Sequence, residues 1–195
     1  MLTKEQIRVD EIIDNARIAF SRFGYKKTSV EDIAKLSGLT KTALYYYFKN
    51  KEEVFKAVVL KEAEILRGKI IDAVVNAETP VNQLKVFIES RMLGLQDVSI
   101  IYDIFKSELY DHLNFINELR SSFQSEEHEL LKSILANGQE QGYFKPMDIE
   151  CTSETIGMVL KGLEIPLFID LNLEKQRRKL EQVIDLLLRG IIIIN

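Results

Sequence analysis

Apolar residues recur at spacings of three and four along most of the chain. Ile7, Ile12, Ile13, Ala16, Ala19, Phe20 and Phe23 mark one such face and predict a first helix, which Gly24 closes as a cap residue. Thr28-x-x-Glu31 reads as a capping box, followed by a short buried stripe of Ile33, Ala34 and Leu36 that ends at Gly38. Thr40 opens a third helix with Ala43, Leu44 and Phe48 inward. Asn50-x-x-Glu53 is a second capping signal and starts a long helix through about Val75. Thr79-Pro80 then supplies an N-cap with proline at the first helical position. Further helices are expected at roughly 80–95, 98–110, 112–140, 150–168 and 173–190, with ends good to about 2–4 residues. Gly138, Gly142 and Pro146 punctuate one break, and Pro166 with Asn172 another. No alternating strand pattern is present. The tail 191-IIII reads either as a frayed helix end or as a short extended piece.

The pattern is therefore all-α. Two short helices joined by Ser37-Gly38-Leu39 fit a helix-turn-helix, with the first helix as the third wall of its core. Tyr45, Tyr46 and Tyr47 are consecutive, and a residue turns about 100° around the helix axis. One face cannot bury all three, so at least one ring points outward among Lys41, Lys49 and Lys51. In a helix-turn-helix, the second helix enters the DNA major groove with its N-terminal residues at the base edges. That assigns Thr40, Lys41 and Thr42 to the groove floor, with Lys41 facing guanine O6/N7 and the threonine methyls facing thymine. A surface tyrosine hydroxyl donates to phosphate, and Lys51 meets another phosphate at the start of the following helix. Taken singly, each residue reads equally well as packing or solvated surface; the set together favours DNA.

Charge sharpens this picture. The 195 residues carry a net charge of −4, which alone argues against nucleic acid. Yet residues 1–70 hold 14 Lys+Arg against 10 Asp+Glu, a net +4, and the remaining 12 and 20 give −8. The positive potential lies where the tyrosines are. A single cysteine, Cys151, forms no intramolecular disulfide and suits a reducing cytoplasm, where it reads as an inert thiol. The N-terminus lacks a signal-peptide core, and the apolar runs are too short to span a bilayer, so no membrane association is expected. His112 and His128 are isolated, so no metal site is expected.

The segment 12-IIDNARIAFSRFGYKKTSVEDIAKLSGLTKTALYYYFKNKEEVFKAV-58 resembles the DNA-binding domain of the tetracycline-repressor-like (TetR) family of bacterial transcription regulators. The resemblance rests on Phe20, Gly24-Tyr25, Thr28-Ser29-Val30, Ile33-Ala34, Gly38-Leu39-Thr40, Leu44-Tyr45, Phe48 and Lys51-Glu52. It implies an N-terminal three-helix DNA-binding domain, here residues 1–50, and a helical effector-binding and dimerisation domain, residues 51–195. It implies a homodimer that binds a double-stranded DNA operator, most often as a repressor released by a small-molecule effector. By the resemblance, Thr28, Ser29, Tyr45 and Lys51 hold phosphate, while Thr40, Lys41 and Thr42 face bases. Tyr46 and Tyr47 join the DNA-facing set, although Tyr47 stands where the family commonly has histidine, and Thr42-Ala43 departs from its usual Gly-Thr.

The later half carries fewer signals. Gly157, Gly162, Leu173, Leu180, Val183, Ile184, Leu187 and Leu188 form the candidate dimer interface, since the last helix has an apolar stripe wider than a monomer needs. Met92, Tyr102, Phe105, Phe115, Phe123, Met158 and Phe168 are candidate effector-pocket walls, most of them equally readable as core. The long helix after Asn50 is the expected lever between effector and DNA. An enzyme is disfavoured, because no nucleophile–base set and no phosphate-cradling glycine loop is present, and no cofactor is expected. A nonspecific architectural DNA binder is the other alternative, separated from a regulator by its indifference to sequence.

Overall fold

Hydroxyl side chains start four of the helices. Thr3, Ser29, Thr40 and Thr79 each accept a hydrogen bond from the amide three residues on, at 3.2 Å in every case. The computed structural model describes residues 3–94, 98, 100, 114–168 and 173–193. Among these the helices are α1 (Lys4–Lys27), α2 (Val30–Leu36), α3 (Lys41–Tyr47), α4 (Lys51–Val75), α5 (Pro80–Gly94), α6 (Asn114–Glu140), α7 (Ile149–Phe168) and α8 (Leu173–Ile191). The all-α reading holds, and the helix ends agree with the spacing pattern to within two residues wherever both are described, except that α1 runs three residues past Gly24. The expected helix over 98–110 falls almost wholly outside the described residues.

The register of the second cap differs from expectation by one residue. Thr28 and Ser29 are both capping types, and each is followed three residues later by a carboxylate. Thr28 turns inward instead: its hydroxyl donates to the carbonyls of Gly24 at 2.8 Å and Ala19 at 3.3 Å. Ser29 is thus left to cap α2, and Asp32 closes the box by accepting from the Ser29 amide at 2.9 Å. Gly24 does break the helical path, with φ 75°, but a further turn through Lys27 follows it. Ile7 and Phe23, expected on the buried face of α1, are each 48% exposed. Ile7 lies about 140° around the axis from Ile12, and Phe23 occupies the last turn before the break. Leu36, the last residue of α2, is also exposed, although it lies only about 60° around the axis from buried Ile33.

The chain divides into two compact units, Met1–Ile65 with Val98–Phe115, and Leu66–Asp97 with Ile116–Asn195. In the first unit, Ile12, Ala16 and Phe20 of α1 are buried with Ile33 of α2, Leu44 of α3 and Phe55 of α4. The Phe20 and Phe55 rings meet edge to face at 5.1 Å, with Tyr25 4.5 Å from Phe55. The buried carboxylate of Glu62 accepts from Arg17 Nε at 2.8 Å and from the Ile100 amide at 3.0 Å.

In the second unit Leu84, Phe87 and Ile88 of α5, Leu131 and Leu135 of α6, Ile156 and Leu160 of α7, and Leu180 and Ile184 of α8 are buried. The end of α6 is fixed by Phe144, which is buried against Gly138: a Cβ there would stand 2.2 Å from the ring. The tail of isoleucines is part helix and part extended. After α8 ends at Ile191, Ile192 pairs with Phe144 in an isolated antiparallel bridge. There the Lys145 amide donates to Ile191 O at 2.8 Å, and the Ile193 amide to Tyr143 O at 3.1 Å.

Alanine normally stabilises a helix relative to glycine by about 0.5–1 kcal/mol. Gly68→Ala, in α4 with open space around its Cβ, is expected to gain that amount. Gly138→Ala is expected to lose roughly 1–3 kcal/mol instead, because the rigid Phe144 ring blocks the methyl. Thermal or urea unfolding of the two variants reads the opposite signs; equal signs would show that Phe144 yields.

Candidate nucleic-acid interface and effector cavity

The outward face of α3 follows from how little of that helix is buried. Leu44 is the one fully buried residue of Lys41–Tyr47, and Phe48 caps the helix inward. The turn before it is held by Gly38 at φ 63°, with the Leu39 amide donating to Ala34 O at 2.8 Å. Thr40, Lys41, Thr42 and Tyr45 are consequently exposed, and Tyr46 is 76% exposed. Tyr47 is half-buried, its ring edge-on to Tyr46 at 5.0 Å. None of the three consecutive tyrosines is buried, so the short helix presents hydroxyls and ring faces together.

The side chains expected to face phosphate differ in exposure and in the partners they hold. Ser29 is half-buried and its hydroxyl serves the cap, donating to Asp32 Oδ2 at 2.6 Å. That hydrogen bond, with the one from the Ser29 amide, holds the Asp32 carboxyl below its usual range. Thr28 is 2% exposed, its hydroxyl spent on α1 carbonyls. Lys51 reaches back along the fold: its ammonium donates to Tyr25 O at 2.9 Å and Thr28 O at 3.0 Å and lies 4.4 Å from the Tyr25 ring centre. An ammonium carries three N–H donors, and two are committed here. The lysine therefore first clamps the end of α1 to the start of α4.

One participant was not visible in the sequence. Glu31 of α2 forms an ion pair with Lys41 of α3 on the exposed surface. The hydrogen bond between them pulls the Glu31 carboxyl below its ordinary range and raises the Lys41 ammonium above its own. The residues stand ten apart across the turn, a spacing that no single-helix rule reports.

The second unit contains a cavity of about 330 Å³ between α5, α6 and α7. Phe87, Leu131 and Leu160 supply apolar wall, and Met158 stands at its edge. Arg91 lies in its floor, donating from Nε to Glu127 Oε2 at 3.0 Å and from a terminal nitrogen to Glu164 Oε1 at 2.6 Å. Phe123 lines a smaller space of about 110 Å³ with Ile70, Ile71 and Leu130. Met92 is buried with its sulfur 3.2 Å from Arg91. Phe115 belongs to the first unit, edge-on to Phe55 at 6.3 Å, and does not line either cavity. Tyr102, Phe105 and the side chain of Phe168 lie outside the described residues. The charged floor was missed because Arg91 meets partners 36 and 73 residues away.

The expected dimer residues also separate. Leu180 and Ile184 are buried in the chain's own core. Val183, Leu187 and Leu188 are half-buried, while Gly157 and Gly162 are exposed with open space around them. The Leu173 side chain lies outside the described residues. Among the described residues no group of His, Cys, Asp and Glu is placed to hold a metal, and no helix is long and apolar enough to cross a membrane. His128 Nε2 sits 2.8 Å from Glu150, His112 lies outside the described residues, and Cys151 is exposed.

Two short helices around a left-handed glycine, carried on a helical body, define a DNA-binding helix-turn-helix protein. Residues 12–58 match the pattern of "Bacterial regulatory proteins, tetR family", so the chain carries the DNA-binding segment of that family, and the relatives it resembles are transcription regulators and not enzymes. It is 28% identical over 175 residues to the HTH-type transcriptional regulator YhgD of Bacillus subtilis (strain 168), covering 88% of this chain and 86% of that one. It is 46% identical over 50 residues to the biofilm operon icaADBC HTH-type negative transcriptional regulator IcaR of Staphylococcus epidermidis, 26% of this chain and 27% of that protein. The fold is shared with a transcriptional regulator from Cytophaga hutchinsonii at a TM-score of 0.79 and 23% identity, covering 94% of this chain and 98% of that chain.

Lys51→Ala removes two charge-assisted hydrogen bonds and a ring contact, so it is expected to destabilise the chain by roughly 1–3 kcal/mol even without DNA. Unfolding of the DNA-free protein checks this. An unchanged midpoint would mean that the ammonium serves DNA alone.

Proposed function

We propose that the chain is a homodimeric repressor that occupies a palindromic operator and leaves it when a small molecule enters the cavity between α5, α6 and α7. The observation that carries the reading is the exposed row Thr40, Lys41, Thr42, Tyr45 and Tyr46 on a helix anchored by Leu44. Residues 1–50 act as the DNA-binding domain and 51–195 as the effector and dimerisation domain. Lys41 reads a base and must leave Glu31 to do so. The Tyr45 and Tyr46 hydroxyls donate to phosphates with Tyr47 beside them, and Ser29 and Thr28 approach the backbone mainly through main-chain groups. The negative regulator IcaR, similar over the DNA-binding segment, supports repression over activation.

Dimerisation falls to the exposed part of α7 and α8. Val183, Leu186 and Leu187 recur at three and four along α8, and Val159 and Gly162 at three along α7. An effector lowers operator affinity only by its differential affinity for the DNA-competent and DNA-incompetent states.

Selection of bound genomic fragments followed by footprinting is expected to return one palindrome with half-sites about one helical turn apart. On that operator Lys41→Ala should lower discrimination about tenfold at one base position. Lys51→Ala should weaken all sequences alike and reduce the salt slope by about one unit. Equal affinity for the palindrome and random duplex would instead identify an architectural DNA binder.

Leu186→Glu is expected to give folded monomers in sedimentation, because Leu186 is 70% exposed in the single chain. Leu180→Glu, at a fully buried position, should instead unfold the second unit. A folded Leu186→Glu dimer would move the interface elsewhere.

A further inference from the structure

Arg91 and Glu127 line the larger cavity, and Arg91 also pairs with Glu164, which does not line it. Arg91 is buried between Glu127 and Glu164, and among the described residues no second cation pairs with either carboxylate, a formal charge of −1 for the three groups. The hydrogen bonds are unbalanced in the same sense. Glu164 Oε1 accepts at 2.6 Å, and Arg91 Nε stands 3.0 Å from both oxygens of Glu127; its hydrogen goes to Oε2, so the buried Oε1 shares the ion pair without accepting a hydrogen bond of its own. A buried carboxylate oxygen without a donor is costly, and burial pushes the Glu127 carboxyl above its usual range against the pull of Arg91.

The other charged groups around the cavity do not fill this gap. Lys161 and Glu154 on α7 are exposed at the rim and opposite in sign. On α6, His128 and Lys132 are both taken up by Glu150, at 2.8 Å and 2.7 Å. Gln124 is neutral and exposed. Rim charges are screened by salt, whereas the floor charges are not.

We infer that the effector cavity takes an amphipathic organic monocation bearing an N–H donor, with its charge answering Glu127 and its apolar body against Phe87, Leu131 and Leu160. This rests on the reading of the cavity as the effector site. A monocation brings the cluster to neutrality and supplies the hydrogen bond that Glu127 Oε1 does not receive from Arg91; a turn about the broad terminal torsion of the carboxylate presents either oxygen. A carboxylate ligand would place a second uncompensated negative charge in the same buried space. The volume, near the lower end of small-molecule sites, excludes large occupants.

The test uses the full-length protein at about pH 8, where an alkylammonium is still charged. The probes are octylammonium, octyltrimethylammonium, octanol and octanoate, which share a tail. Octylammonium should bind at least about tenfold more tightly than octanol or octanoate, with octyltrimethylammonium between them for want of an N–H. Glu127→Gln should abolish the preference, while Glu118→Gln, an exposed carboxylate of α6 that lines neither cavity, should keep it. If Glu127→Gln does not fold, Glu164→Gln reads the same charge. A preference for octanoate, equal affinities, no binding, or preference retained without Glu127 and Glu164 would overturn the inference. Operator binding separates the two readings. Octanoate releasing the operator would sink the cation and leave the effector site standing. Octylammonium binding through Glu127 with operator affinity unchanged would do the reverse.

Discussion

The burial of Leu44 is the constraint on which the DNA-facing surface depends. A seven-residue helix has too few hydrogen bonds to persist alone, so α3 exists only because it is docked. Docking through one leucine, with Phe48 closing the end, fixes the rotation of the helix about its axis. Once that angle is set, Thr40, Lys41, Thr42 and Tyr45 have no choice of direction. The Gly38 turn sets the other coordinate, the path by which α3 leaves α2. Specific recognition needs both, because base edges are read only when the helix enters the groove in one register.

The first unit also ties this reading head to the helix that follows. Lys51 and Tyr25 clamp the start of α4 to the end of α1, and Arg17 with Glu62 does so further along. Buried charges of this kind add little net stability but penalise any arrangement that separates them. The same logic holds in the second unit, where Arg91 joins α5 to α6 and α7. There the carboxylates outnumber the guanidinium, and a structural clamp with a surplus charge is also a place for a ligand.

Local chemistry was the legible part of the sequence. Caps, glycines and apolar spacing locate the helices because each acts within one or two turns. The misplaced capping box shows the limit: Thr28 and Ser29 are equivalent as local signals, and only the α1 carbonyls that capture the Thr28 hydroxyl decide between them. Aromatic and methionine content pointed to a pocket in general, but a core and a cavity use the same residues. Phe115 packs on Phe55, while Met158 does edge a cavity. The stripe on α8 is wider than a monomer needs, but the spacing alone does not divide it: Leu180 and Ile184 serve the chain's own core and Leu186 lies outside it. Periodicity finds a face; it does not say what covers it.

The pairing of Lys41 with Glu31 bears on how such a head discriminates. In the free protein the lysine is partnered across the turn, so contact with DNA exchanges one hydrogen bond for another. The exposed pair is screened and easily broken, so the exchange costs little when guanine O6 and N7 replace the carboxylate. Adenine and thymine each offer one acceptor and cytosine an amino donor, none the paired O6 and N7 of guanine, so at those bases Lys41 gains less by leaving Glu31. On the proposed base-reading role of Lys41, its pairing with Glu31 disfavours mismatched complexes while costing the correct one little, a selectivity built from what the wrong partner lacks.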